Sequence, residues 1–317
     1  ARAPMPRGTA RGRELRTRSR LHLTLAVGIR YTLSMNSSSF RGIIFIVISA
    51  AAFSTAGVLI KLVPWNPVAL NGARSLFAIV PMYWYLRHTG RRLHVNMSIA
   101  IGAAVYAAML VSFVAANKLT TAANAIVLQF TEPIWVIFLG AFIFRNKPRA
   151  SALVTALVML VGITLFFLDG IDTAGAWGNA LAIVSGVTYA GVFLIKKMDG
   201  SDYECSAILG FLVCFAIGLP LYPSQPALEL SGWVAVVALG VVQLGLGALF
   251  LSLALDHISP VTASLTSTIE PILNPVFVAV FVGETIGPLS LVGAAIVVCA
   301  ATAYNVYAAK MRPSSRA

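Results

Sequence analysis

Three charged side chains stand deep inside long apolar stretches of this sequence: Arg74, Glu132 and Glu270. A charge at the centre of a bilayer costs roughly 2.5 to 3.5 kcal/mol when it faces lipid, so each of the three should face protein or water. Both glutamates are followed directly by proline, Pro133 and Pro271, which removes a helical hydrogen bond and kinks a helix beside the carboxylate. A carboxylate with no basic partner in a low-dielectric site has its charged form disfavoured, which is the property of a proton carrier. One reading pairs Arg74 with Glu132 and leaves Glu270 to bind a coupling proton. The other makes both carboxylates architectural, bonded to backbone that the prolines free. Residues three and four apart share a helical face. Thr266, Ser267, Leu273 and Asn274 therefore flank Glu270, and Leu128, Gln129, Trp135 and Val136 flank Glu132. The candidate substrate or proton site is Glu270, Glu132, Arg74, Asn274, Gln129, Ser267, Thr266 and Trp135, with Pro133 and Pro271 as helix kinks.

These residues need a membrane scaffold to hold them. The chain has 317 residues, 58% apolar and 11% charged, where a soluble domain averages about half apolar and about a quarter charged. Apolar runs long enough to cross a bilayer, which takes about 20 residues, cover 42–62, 67–86, 97–116, 121–143, 150–168, 176–195, 205–222, 232–254, 259–282 and 287–308. With little else in the chain, backbone hydrogen bonds must close within each run, so the runs are helices. The predicted fold is an all-α polytopic membrane protein of ten transmembrane helices. Glu132 lies 12 residues from Thr120 at one end of its run, and Glu270 lies 12 residues from Ile258. At 1.5 Å per residue both sit about 18 Å deep, near the midplane.

Basic residues in the connections set the orientation. With the amino terminus inside, inner segments carry 20 Lys and Arg and outer segments only Lys61 and Lys118. Both termini are expected in the cytoplasm of a multi-pass cell-membrane protein. Residues 1–34 hold eight arginines and the apolar stretch Leu21–Ile29, too short to span and without a small-x-small cleavage site after Ile29. Met35 followed by Asn36 and serines looks like a natural start, so the segment before it is read as upstream sequence or a dispensable tail.

The fourth and ninth runs match at an offset of 138 residues. Ala125 falls on Ala263, Glu132-Pro133-Ile134 on Glu270-Pro271-Ile272, and Ala141 on Ala279. Five runs per half is an odd number, so the second half enters the membrane from the opposite side. Inverted repeats of this kind build transporters that rock about a midplane site. The expected organisation is a basic segment 1–40, a first five-helix repeat 41–170, a second 171–309 and a cytoplasmic tail 310–317. Leu212 is the repeat counterpart of Arg74, so Glu270 has no equivalent basic partner.

These features resemble the EamA family of the drug/metabolite transporter superfamily, over about Phe40 to Tyr307. The resemblance rests on the two five-span halves, the small-residue start and midspan proline of runs four and nine, Gly283-Glu284 closing the ninth, and Ala73-Arg74 in the second. The segment Ala116–Ala125 resembles the branch that includes aromatic amino-acid exporters. Two departures are Arg145-Asn146, where the first half usually has a Glu, and Phe53, where many members have Trp. The resemblance implies a secondary transporter, often an exporter, of small metabolites or drugs.

Other classes find little support. No HExxH, GxSxG or Walker loop is present, and the four histidines and three cysteines show no metal-ligand spacing. No cofactor or metal is expected, and no ATP-driven cycle within the chain. The net charge of +12 comes with no nucleic-acid motif. The expected partners are a small-molecule substrate, the lipid bilayer and protons as coupling ion; the oligomeric state stays open. The leading reading is an exporter by alternating access for a small amphipathic or cationic molecule, such as a neutral or aromatic amino acid. An uptake carrier, a nucleotide-sugar-type antiporter and a non-transporting multi-span protein are the alternatives. The charge bias predicts that green fluorescent protein fused after Ala317 fluoresces and that alkaline phosphatase fused there stays inactive; the reverse pattern would invert the topology.

Overall fold

In the computed structural model, residues 37–120, 122–145, 147–166, 168, 175–282 and 287–310 are described. They form helices and turns, with no strand among them, as backbone inside hydrocarbon requires. The basic leader, Gly283-Glu284 and the chain beyond Lys310 lie outside the described residues.

The first apolar run folds as α1 (Ser37–Ser54) and, after a break at Thr55, α2 (Ala56–Lys61). α3 (Pro67–His88) starts where the Asn66 side chain accepts from the amide of Val68 and Pro67 occupies the first turn, where a missing N–H costs nothing. α4 (Met97–Leu119) begins with the equivalent cap from Asn96 to Ile99. α5 (Ala122–Gln129) and α6 (Glu132–Ile143) are one run broken at Phe130-Thr131, just before the Glu132-Pro133 pair. α7 (Ala150–Phe166), α8 (Ala176–Leu194) and α9 (Tyr203–Gly218) follow. α10 (Leu230–Ala238) and α11 (Gly247–His257) are joined without interruption by a π-helical segment, Leu239–Leu246. α12 (Pro260–Ser267) and α13 (Glu270–Val282) repeat the break before Glu270-Pro271, and α14 (Pro288–Lys310) completes the bundle.

Among the described residues, six helical stretches are long and apolar enough to cross a membrane: Met97–Asn117, Ala125–Ile143, Ala176–Lys197, Tyr203–Ser224, Leu230–His257 and Pro288–Ala308. Ser38–Ser54 and Ala150–Leu165 are apolar but shorter. α3 is as long as most of the six, yet Asn71, Arg74, Arg87 and His88 make it less apolar.

α4 packs along α8, α9 against α3 and α4, α11 along α1, and α14 along α7. The largest core lies toward the end of the bundle that carries Leu86, Leu194 and Tyr203, with Met82, Tyr106, Phe193, Phe211 and Leu251 inside it. A smaller core joins α5, α6, α7, α12 and α14 through Phe130, Met159, Ile163, Leu265 and Tyr304. The π-helical segment lies directly on α3, and Gly240 permits this. A Cβ there would collide with Phe77 and sit 2.6 Å from the Arg74 carbonyl oxygen. Gly240→Val is expected to lower stability by at least about 1–3 kcal/mol, read as a lower unfolding midpoint in detergent. An unchanged midpoint would contradict the close approach.

Candidate functional site

Arg74 is buried, at 8% exposure. One helical turn earlier on the same face, Asn71 accepts from its Nε at 3.1 Å and Nη2 at 2.8 Å. From the π-helical segment, Gln243 accepts from Nη1 at 3.0 Å. The guanidinium is thus held by two neutral amide oxygens. The expected Arg74–Glu132 pair does not form. Equal depth in the membrane says nothing about direction around the bundle axis, and Glu132 points the other way, toward α12.

There the Glu132 carboxylate, fully buried at 0% exposure, accepts from Ser264 Oγ at 2.5 Å and more distantly from Ser267 Oγ at 3.5 Å. Glu270 is half-buried, and its closest side-chain donor is the Tyr189 hydroxyl at 3.5 Å. Among the described residues the side-chain partners of both carboxylates are hydroxyls of other helices rather than backbone freed by the prolines.

Arg74 and Glu270 border one cavity of about 290 Å³. It runs between α1, α2, α3, α4, α5, α8, the π-helical segment and the start of α13. Phe53, Trp65, Phe113, Phe130 and Tyr189 supply aromatic wall, while Asn71, Asn117, Gln129 and Gln243 add amide groups. Glu132 is not among its lining residues. Gln129 lines the cavity and is steadied by donating to Ser185 at 2.8 Å. Ser267, Thr266 and Trp135 do not line it: Ser267 turns to Glu132, Thr266 bonds Asn305 and the Thr262 carbonyl, and Trp135 donates to Thr131. The Asn274 side chain lies outside the described residues. Pro133 and Pro271 sit at the two helix breaks, and Pro271 reaches the cavity wall.

Sequence reasoning missed Asn71, Gln243 and Tyr189. Asn71 was within reach of it, three residues from Arg74 and so on the same face. Gln243 and Tyr189 are polar groups in the middle of apolar runs, a signal that exists but names no partner.

At the far end from the cavity, a charged network joins loop residues to the ends of helices. Arg91 meets Glu204 at 3.0 Å and Asp202 at 3.3 Å, and Lys196 meets Asp256 at 2.6 Å and Glu204 at 3.9 Å. Ser252 donates to Glu204 at 2.5 Å. Burial alone would weaken the charge on Arg91, but the hydrogen bond and charge of Glu204, with Asp202, outweigh it and raise the guanidinium pKa. Beside the network, His94, Asp202 and Cys205 gather their ligand atoms within 4.8 Å, a grouping that residue spacing did not suggest. Asp202 is already engaged by Arg91 and by the Cys205 amide.

The same sequence pattern, that of the EamA-like transporter family, matches residues 40–168 and again residues 176–306. The chain belongs to the EamA-like transporter family. It is therefore an all-helical, multi-pass membrane protein, and membership implies a small-molecule substrate. Two relatives are similar to this EamA-like chain. An uncharacterized transporter of Archaeoglobus fulgidus is 24% identical over 257 residues, which is 80% of this chain and 92% of that protein. One of Clostridium kluyveri is 23% identical over 280 residues, 78% of this chain and 87% of that protein. A solved crystal structure shares the fold with a TM-score of 0.75 at 16% identity, over 86% of this chain and 99% of that one.

Ser264 is the near donor to a fully buried carboxylate. Ser264→Ala is expected to cost about 1–3 kcal/mol, read as a lower unfolding midpoint in detergent, whereas Thr302→Ala on the exposed face of α14 leaves the midpoint in place. Equal midpoints for both variants would remove Ser264 from this role.

Proposed function

We propose that this EamA-like protein is a secondary carrier that exports a small amphipathic molecule bearing a cationic amine, by alternating access about the Arg74–Glu270 cavity. The observation that carries the reading is the placement of opposite charges in one aromatic-walled cavity. Arg74, bonded only to neutral amides among the described residues, offers its charge to a carboxylate, and Glu270 offers its own to an ammonium group. Aromatic walls suit the apolar body between them. A neutral or aromatic amino acid has this pattern. A multiply phosphorylated nucleotide sugar fits less well, because Arg74 is the sole cation among the described lining residues.

Alternating access draws support from repetition. The family pattern matches each half once, and exchanging the halves maps the packing onto itself: α4 with α8 has its counterpart in α11 with α1, while α3 with α9 and α7 with α14 are their own counterparts. Ten transmembrane helices in two inverted five-helix repeats account for this pattern. The charge bias supports cytoplasmic termini, and on that reading the cavity's Trp65, Pro67 and Asn117 lie at its outer mouth. The Arg91–Glu204–Lys196–Asp256 network joins a loop to helix ends at the opposite, inner end, away from that mouth. This is the arrangement of an outward-facing carrier. Glu270, which faces the cavity with one distant hydroxyl partner, is the group that binds a coupling proton in turn with substrate.

The test compares metabolites released by cells expressing the wild type, Arg74→Gln or Glu270→Gln at matched membrane abundance. Wild type is expected to release one class of amphipathic amine. Arg74→Gln loses one charge-assisted contact of about 1.5–3 kcal/mol, and export falls about 10- to 100-fold. Glu270→Gln loses the dependence of transport on pH. Undiminished release by both variants would overturn the site, and uptake of the same compound by wild type would overturn the direction.

A further inference from the structure

A second cavity, of about 320 Å³, opens at the end of the bundle opposite the mouth of the first. Lys147 and Arg149 reach it from the connection between α6 and α7, and Lys197 from the helical turn Ile195–Lys197 that follows α8. Ser259 and Thr262 at the start of α12 and Tyr304 of α14 add hydroxyl groups. No carboxylate lines it among the described residues. Its neighbour Lys196 shows the contrast, since that cation is answered by Asp256 and Glu204, while none of Lys147, Arg149 and Lys197 is paired with a carboxylate among the described residues. Three like charges converging on one cavity repel one another until an anion enters.

Deeper in the same cavity the wall turns apolar, with Val136, Ile137 and Leu194. A ligand that fits has an anionic, phosphate-bearing head and a hydrocarbon body. We infer that this cavity binds the headgroup of an anionic phospholipid of the inner leaflet, with the phosphate between Lys147, Arg149 and Lys197 and an acyl chain along the apolar wall. Basic pockets between helices at the cytoplasmic face are suited to such headgroups. The cavity joins helices of both halves, α6 and α7 on one side and α8, α12 and α14 on the other, so a bound lipid braces the seam between them.

The inference requires a bilayer but not the transport reading, because binding is read without substrate. The purified full chain is offered phosphatidylglycerol or phosphatidylcholine and retained lipid is counted by native mass spectrometry. Preferential retention of phosphatidylglycerol is expected. The variant Lys147→Gln/Arg149→Gln/Lys197→Gln should lower that preference by at least about tenfold. Arg41→Gln/Arg87→Gln/Arg92→Gln, which removes as many charges from the same surface, should keep it. Equal retention of the two lipids, an unaffected cavity variant, or an equal loss in the control variant would each overturn the site. Displacement of the lipid by inorganic phosphate alone would make it a free-anion site and overturn the lipid assignment. Should the triple variant fail to fold, Lys197→Gln alone is expected to give a partial loss, and no loss in that folded variant would equally overturn the proposal.

Discussion

Proline has no amide hydrogen, so Pro133 leaves the Gln129 carbonyl without its helical donor and Pro271 does the same for Ser267. In hydrocarbon an unsatisfied backbone group costs several kcal/mol, and irregular backbone survives at membrane depth only against protein or a water-filled cavity. Both breaks must therefore be covered, and much of the packing serves that end. α8 lies along α5 and α6, while α1 lies along α12 and α13. Gly186 lets α8 come against the first break, where a Cβ would stand 2.8 Å from the Gln129 carbonyl oxygen. At the second, Ser54 of α1 donates to the Glu270 carbonyl at 3.0 Å. The helices that close over the breaks also bring Tyr189 and Phe53 to the cavity.

Two carboxylates in matching positions have been given different environments. Glu132 is sealed against α12 by Ser264 and Ser267, so it ties α6 to a helix of the other half. Glu270 has one long hydroxyl contact and faces space that a ligand can enter. Sequence symmetry puts them at equivalent positions, 138 residues apart. The difference comes from what stands at the partner position: Ser264 in the second half corresponds to Ile126 in the first, and an isoleucine donates no hydrogen bond.

Much of the scaffold could be read from the chain itself, because lipid permits few architectures and the apolar runs and Glu-Pro breaks are local signals. Two of the helix breaks fall beside the two Glu-Pro pairs, and α3, α4 and α14 fall on their expected runs. The site was less legible. Spacing assigns a residue to a face of its own helix but does not say which helix that face meets, so Arg74 was matched by depth to Glu132 and is instead held by Gln243. Trp135 was placed on the right face of its helix relative to Glu132, but that face turns into the core rather than the cavity. The charged network at the opposite end joins residues 91, 196, 204 and 256, distant in sequence and in no shared pattern.

Gln243 holds Arg74 from a stretch of backbone whose hydrogen bonds reach one residue further than those of an α-helix. Such a stretch stores a surplus residue. Passing that residue along the helix would leave its ends in place while advancing the side chains between by one position, about 1.5 Å along the axis and about 100° around it. Gln243 would turn away from the guanidinium, and a neighbouring apolar side chain, Val242 or Leu244, would arrive in its stead. The contact that steadies the cavity's cation is thus built on the part of the bundle with a spare position to give, so its grip can be changed by a small local rewinding, without moving any whole helix.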